Sequence, residues 1–523
     1  MAQLPEVIEA LLDPAQYPDD APVEVKLIQT QMSFVLLTGQ HAYKIRKPVN
    51  LGYVDYTSLE KRKLFSDKEL SLNRRLCPDT YLNVIPVTRR GGKIKLGGAG
   101  DVIDYAVKMR QLPAEGMLDL RLKTGDVSAG MLESVARTVA DFHGMADTNG
   151  EIARFGSIDS IRRNVEENFA QSRPYIGRVL SQQHYDQLKE YFDTFLENNA
   201  AIFSARIAER RIKDCHGDLH SAHICFQDHG ICIFDCIEFN DRFRYGDTAS
   251  EVAFLAMDLD HYGRADLRRG FVDEYVKQSK DSNLCELLRF YQAYRAHVRA
   301  KVACFKLDDP FVPEAEKAEE LAKARGYFDL ELSYTRQKPI LFIMSGFTGC
   351  GKSLVATELA RHLGLVYISS DITRKTLAGL PLTRHSDDPV DTGLYSREMT
   401  EKTYQSIMML AEGALKSKDS AILDATFLSR DSRRHAVDIA RRNGADFVII
   451  ECRADESQLK TGLEHRLAEP SVSDGTWQIY LSQKSKTEPV IEVPTGPNHV
   501  IIDGYLPVAD NLRKIIDNLP EER

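Results

Sequence analysis

The stretch "GFTGCGKS", Gly346 to Ser353, constrains this chain more than any other. It follows the apolar run "ILFIMS" and opens the helical pattern "LVATELARHLG". A glycine-rich turn between a buried strand and a helix aims several backbone N–H groups at one point, which suits phosphate oxygens. Gly346, Phe347, Thr348, Gly349, Cys350 and Gly351 form the cradle. Lys352 then reaches the β/γ-phosphates and Ser353 is placed to ligate Mg²⁺. The same arrangement constrains the fold. From Pro339 onward the runs "LVYISS", "SAILDAT", "DFVIIECR" and "HVIIDG" alternate with helical patterns, as in a parallel α/β sheet.

Around this loop stand four further candidates. Asp424 ends the run "ILD" and suits a magnesium shell, or a plain strand-end cap. In "ISSDITRKTLAG", Asp371 and Arg374 lie three apart and share one helix face. Asp371 reads as a base for an attacking hydroxyl and Arg374 as a holder of a substrate anion. The bland alternative is a capping Asp and a surface Arg. Arg466, in "LEHRLAEPSVSDGTW", is either a lid cation for the transferring phosphoryl or a solvated helix residue. Residues 338–523 resemble small P-loop kinases of the nucleoside-monophosphate-kinase type. The Asp371-x-x-Arg374 spacing is similar to that of polynucleotide 5′-hydroxyl kinases and zeta-toxin-like kinases, where it implies a base and a phosphate-holding Arg.

The second informative stretch is "HGDLHSAHICFQDHGICIFDCIEF", beginning at His216. Asp218 is placed to orient an acceptor hydroxyl, with His216 bracing the loop. Asp235 ends the strand pattern "ICIFD" seventeen residues later, where a metal-binding carboxylate belongs, and Glu238 is a second candidate for that shell. This segment resembles the aminoglycoside phosphotransferase family, whose sites share the protein-kinase plan, over roughly residues 24–305. The resemblance implies a phosphate-binding Lys44 on the third strand, with Lys47 as its rival, and a partner Glu69 on the next helix. It also implies that "KMRQLP", with Arg110 and Leu112, is the hinge that meets adenine, and that Asp247 belongs to the stretch after the metal site. His223 departs from the pattern, because it stands five residues after Asp218 where an Asn is usual. Imidazole is softer than an amide oxygen and suits zinc or manganese better. Three accounts of His223 are open: a metal ligand, a hydrogen-bonding partner of Asp218 or of a phosphate, or the mark of a site that binds without full catalysis. Arg295 and Arg299 share a helix face that is either an anion-receiving stripe or a solvated or salt-bridged surface.

The predicted fold class is thus an α+β protein-kinase-like bilobal domain followed by an α/β P-loop domain with a parallel sheet. The expected boundaries are a helical segment 1–23, a kinase-like domain 24–307, a linker 308–337 and a P-loop domain 338–523. The two parts together resemble a bacterial fusion of these kinase classes, of the "AAA family ATPase" type. The implied activity is ATP-dependent phosphotransfer at two sites, from ATP to an unidentified hydroxyl-bearing acceptor, with Mg²⁺ as cofactor and Mn²⁺ as a second candidate at the first site. Two other readings stand beside it: one P-loop kinase with a regulatory kinase-like domain, and a nucleotide-switched binding protein. The formal net charge of -9 argues against sequence-blind nucleic-acid binding. No apolar run is long enough for a transmembrane helix and no signal peptide is read at the start, so a cytoplasmic location is expected. Nine irregularly spaced cysteines are expected to be reduced thiols.

Overall fold

The computed structural model describes residues 4–228, 230–309, 312–381, 392–466, 476–493 and 495–520. The chain divides into two compact units: 1–258 with 267–324, and 259–266 with 325–523. The segment expected as a linker is largely one continuous helix, Glu314–Thr335. Among the described residues no helix is long and apolar enough to cross a membrane.

Unit 1 begins with a six-stranded antiparallel sheet. Its strands are β1 (Lys26–Gln29), β2 (Ser33–Leu37), β3 (His41–Arg46), β4 (Tyr81–Arg90), β5 (Lys93–Leu96) and β6 (Asp101–Arg110), in the order β1-β2-β3-β6-β4-β5. Period-two burial sends Leu36, Tyr43, Ile45, Val87 and Ala106 into a core shared with Ile8, Leu11 and Tyr17 of the N-terminal segment. The helix Leu59–Asn73 packs differently. Ser58 Oγ caps it, and its buried face carries Arg62, Ser66, Glu69 and Asn73 rather than aliphatic residues. That polar stripe is satisfied by named partners: Arg62 on Asp104, Ser66 on Arg46, and Asn73 Oδ1 accepting from the Cys236 amide at 2.9 Å.

Two short strand pairings and a helical half complete the unit. β7 (Ile212–Asp214) pairs with β10 (Tyr245–Asp247), and β8 (Ile224–Gln227) forms a hairpin with β9 (Gly230–Ile233). The helix Leu284–Asp308 runs through the helical half and stacks Phe290 on Phe195 with ring centroids 4.6 Å apart. The expectation of nine reduced thiols is corrected by a disulfide between Cys77 and Cys232, with Cα atoms 4.8 Å apart. It ties the chain just after the helix Leu59–Asn73 to β9 across 155 residues, a pairing that spacing in the sequence does not reveal.

Unit 2 carries a five-stranded parallel sheet, as its alternating pattern predicts. β11 (Ile340–Ser345), β12 (Val366–Ser369), β13 (Ala421–Asp424), β14 (Asp446–Arg453) and β15 (His499–Asp503) are ordered β12-β13-β11-β14-β15. β11 lies near the centre and all six of its residues are buried, which explains its unbroken apolar run. The glycine-rich loop leaves the carboxyl end of this strand and enters the helix Lys352–Leu363 through Gly351, at φ +84°. A Cβ on Gly351 would stand 2.6 Å from the Gly504 carbonyl oxygen, so only glycine fits there.

Candidate active sites

In unit 1 a lysine, two glutamates and an aspartate converge from three parts of the sequence. Lys44 on β3 donates to Glu69 Oε1 at 2.9 Å and to Asp235 Oδ1 at 2.6 Å. Burial alone would lower the Lys44 pKa, but Asp235, Glu69 and Glu238 outweigh it and hold it well above the usual range. Lys47, the rival lysine, instead donates to the Thr30 carbonyl at 2.6 Å. Asp235 adopts φ +63°, a strained geometry for a non-glycine residue of the kind that gathers at functional sites. Burial pushes its carboxyl up, and Lys44 and His223 bring it well below the usual range. Glu238, the second candidate for the metal shell, meets an arginine and a tyrosine. Its Oε1 accepts from Arg46 Nη2 at 2.5 Å and from Tyr56 Oη at 2.8 Å, so its charge is already compensated in the interior. Arg46 bridges Glu238 to Glu69 Oε2 at 2.7 Å.

The loop after β7 supplies the second half of this site. Gly217 sits at φ +90° with the Phe243 carbonyl 2.8 Å from where a Cβ would be. The His216 and Gly217 amides donate to Glu251 at 2.9 and 2.6 Å, and Glu251 also meets His143 Nε2 at 2.8 Å. Burial pushes the Glu251 carboxyl up, but these partners bring it down to about 2. His216 Nε2 lies 2.9 Å from the Phe234 carbonyl, fixing the loop to the residue before Asp235. Asp218 is a third exposed, with His223 Nδ1 and His220 Nε2 at 3.5 and 3.7 Å from its Oδ2. Burial opposes its ionisation, while His220, His223 and Arg299 outweigh that and hold its carboxyl well below the usual range. Burial lowers His216 and His220 to about 4, so both imidazoles are neutral at pH 7. His223 Nδ1 is 3.0 Å from the Asp218 carbonyl oxygen, and its Nε2 is 3.6 Å from Asp235 Oδ2.

The two residues expected to form a hinge lie at and just after the end of β6. Leu112 packs with Val107, Met109 and Met117 against Cys225 and Cys232. The Arg110 side chain donates to the Asp79 carbonyl at 3.0 Å. Asp247 is held by Arg206 at 2.6 Å and belongs to a buried scaffold that includes Asp281. Arg295 donates to the Gly217 carbonyl at 3.1 Å and stacks over Phe254, so the solvated-face reading of this residue is corrected. Arg299 Nη1 lies 3.3 Å from His220 Nε2.

In unit 2 the glycine-rich loop is closed on itself. Lys352 Nζ donates to the Phe347 carbonyl at 2.6 Å, and the Thr348 amide donates to Gln483 Oε1 at 2.8 Å. Cys350 turns inward, with Sγ 3.7 Å from Lys352 Nζ, while Cys452 Sγ donates to the Cys350 carbonyl at 2.6 Å. Ser353 is exposed at the helix start. Asp424 Oδ2 accepts from Tyr367 Oη at 2.7 Å at the carboxyl end of β13. Asp371 lies in the first turn of the helix Ser370–Leu377. Arg374 is buried, not on the surface. It donates to the Leu394 carbonyl at 3.3 Å and Thr400 Oγ1 at 3.2 Å, and stacks over Tyr395. The Arg466 side chain and the expected lid segment after it lie outside the described residues.

Sequence reasoning missed Arg46, Tyr56, His143, Glu251 and Gln483. Glu251 did leave a signal, as a lone acid in the apolar pattern "TASEVAFLAM".

Residues 95–288 match the phosphotransferase enzyme family, and residues 341–489 match the AAA domain. The chain is a fusion of a phosphotransferase-family domain with a P-loop domain of the AAA type, and both matches support a kinase. It belongs to the same family as the uncharacterized proteins Rv2004c of Mycobacterium tuberculosis and Mb2027c of Mycobacterium bovis. Each is 31% identical over 427 residues, covering 82% of this chain and 83% of the relative. Among solved structures, choline kinase from Cryptosporidium parvum matches over 62% of this chain and 94% of its own, at 10% identity and a TM-score of 0.40. A gluconokinase from Sinorhizobium meliloti matches over 35% of this chain and 92% of its own, at 21% identity and a TM-score of 0.25.

Proposed function

We propose that the chain is a bifunctional ATP-dependent phosphotransferase, each unit passing the γ-phosphoryl of ATP to a hydroxyl group of a small-molecule or nucleotide-like acceptor. The observation that carries this reading is the convergence of Lys44, Glu69 and Asp235 beside Asp218. A lysine held by two carboxylates keeps its charge and its place until a polyphosphate arrives. In unit 1 Asp218 accepts the acceptor's hydroxyl proton. The acceptor oxygen bonds to the γ-phosphorus, the bond to the β-phosphate bridging oxygen breaks, and ADP leaves. Lys44 steadies the polyphosphate, and Glu251 holds the loop through its two amide bonds.

In unit 2 Lys352 leaves the Phe347 carbonyl for the β/γ-phosphates, and Asp371 serves as the base. Arg374, tied to Leu394 and Thr400, is assigned to fixing the wall beside Asp371. The lid role of Arg466 remains part of this proposal. Ser353 and Asp424 offer one hydroxyl and one carboxylate oxygen, a donor set that fits Mg²⁺. At the first site the donors are Asp235 Oδ2 and His223 Nε2, one oxygen and one nitrogen. A bound dication there would offset charge growing on the transferring phosphoryl.

The test uses labelled ATP and pooled metabolites with the wild-type chain, Asp218→Asn and Asp371→Asn. Each variant is expected to lose one labelled product and keep the other. If neither product changes in Asp218→Asn, unit 1 is not a phosphotransferase.

A further inference from the structure

We infer that the first site takes a transition-metal dication of the Mn²⁺ class through His223, where the kinase plan would place Mg²⁺. This rests on the reading of unit 1 as a nucleotide site. The ring's orientation follows from its neighbours. His223 Nδ1 faces the Asp218 carbonyl oxygen at 3.0 Å, and a carbonyl can only accept. Nδ1 donates there, which leaves Nε2 as the ring nitrogen for a metal. Nε2 is on the Asp235 side, 3.6 Å from Oδ2. Two donors of one dication, each about 2.0–2.2 Å from the metal, stand roughly 3.0–3.5 Å apart. A carbonyl holding the far nitrogen of a ligating imidazole is the usual support of a metal-bound histidine.

The ring is also locked in place. The His223 amide donates to the His220 carbonyl at 3.0 Å, and its own carbonyl accepts from the Phe234 amide at 3.0 Å. Its ring packs against His220, 4.0 Å between centroids, and against Phe234. The Asp235 carboxylate is anchored through its other oxygen by Lys44. Asp218, His220 and His223 offer an alternative cluster with ligand atoms within 4.8 Å of one another. There, however, His220 Nε2 already faces the Arg299 guanidinium at 3.3 Å, an unfavourable neighbour for a cation. The His223–Asp218 carboxylate contact, at 3.5 Å, is longer than the bond to the backbone carbonyl, so holding that carboxylate is not the ring's main task. An amide oxygen at position 223 would be a hard ligand suited to Mg²⁺. An imidazole nitrogen shifts preference towards borderline metals.

Pulsed EPR on the full-length protein with ADP and Mn²⁺ tests this directly. Imidazole coordination gives a nitrogen modulation on the manganese signal, to which the oxygen donors proposed at the second site contribute nothing. The modulation is expected in the wild type and in His220→Asn, and its loss in His223→Asn. Competition by Mg²⁺ should also become about tenfold more effective in His223→Asn. ADP and Mn²⁺ bound at two sites in the wild type without nitrogen modulation would overturn the inference and leave the two-site reading intact. So would a modulation that disappears in His220→Asn and survives in His223→Asn. If the Lys352→Ala chain binds no ADP, the nucleotide reading of unit 1 falls, and the metal assignment falls with it.

Discussion

Glu251 shows how a single buried charge can organise the backbone of a site's loop. One carboxylate receives two loop amides and the His143 ring, and the Tyr275 hydroxyl supports that ring at 2.7 Å. Its folded pKa of about 2 lies below the ordinary 4.5. The stabilisation from this group is therefore full above the unfolded value and is lost as pH falls from about 4.5 towards 2. Removing the carboxylate leaves two buried amides without an acceptor, each costing about 1–3 kcal/mol. Glu251→Ala should lower thermal stability by roughly 3–5 kcal/mol and flatten the acid limb of the stability curve between those pH values. A variant that melts like the wild type, with the same acid limb, would show that the loop is held by something else.

At the scale of elements, the two sites differ in how much of them could be read in advance. The strand–loop–helix of unit 2 was legible because its chemistry is local: the glycines, Lys352 and Ser353 are contiguous and their flanks carry the periodicity. Asp235 was read from its place at the end of a strand pattern, and Lys44 and Glu69 only through resemblance to a family pattern. The contact between Arg46 and Glu238 was not, because the two meet across 192 residues and a charged residue in sequence looks like surface. The helix Leu59–Asn73 illustrates the same limit, since its buried face is polar and gives no apolar stripe to read. The disulfide partner of Cys77 was hidden for a similar reason. Local geometry also yields the sharpest element-scale prediction. Gly351→Ala places a methyl against the Gly504 carbonyl at a helix entry that requires φ +84°. It should abolish nucleotide binding in unit 2, read as loss of one calorimetric site, while binding in unit 1 persists. Wild-type stoichiometry in that variant would mean that the loop is not the phosphate cradle.

At the scale of the whole molecule, two kinase-like architectures share one chain, and the family relation extends over most of it. The segment expected as a linker is largely the helix Glu314–Thr335, and an Ala-rich, charged pattern after prolines looks the same whether it tethers or packs. The claim that each unit is a separate nucleotide site can be tested without knowing either acceptor. The most direct measurement is the number of ADP molecules bound per full-length chain, by calorimetry in the presence of Mn²⁺ and Mg²⁺. Two are expected for the wild type, and one each for Lys44→Ala and Lys352→Ala. A single bound ADP in the wild type, unchanged by Lys44→Ala and lost in Lys352→Ala, would contradict the account.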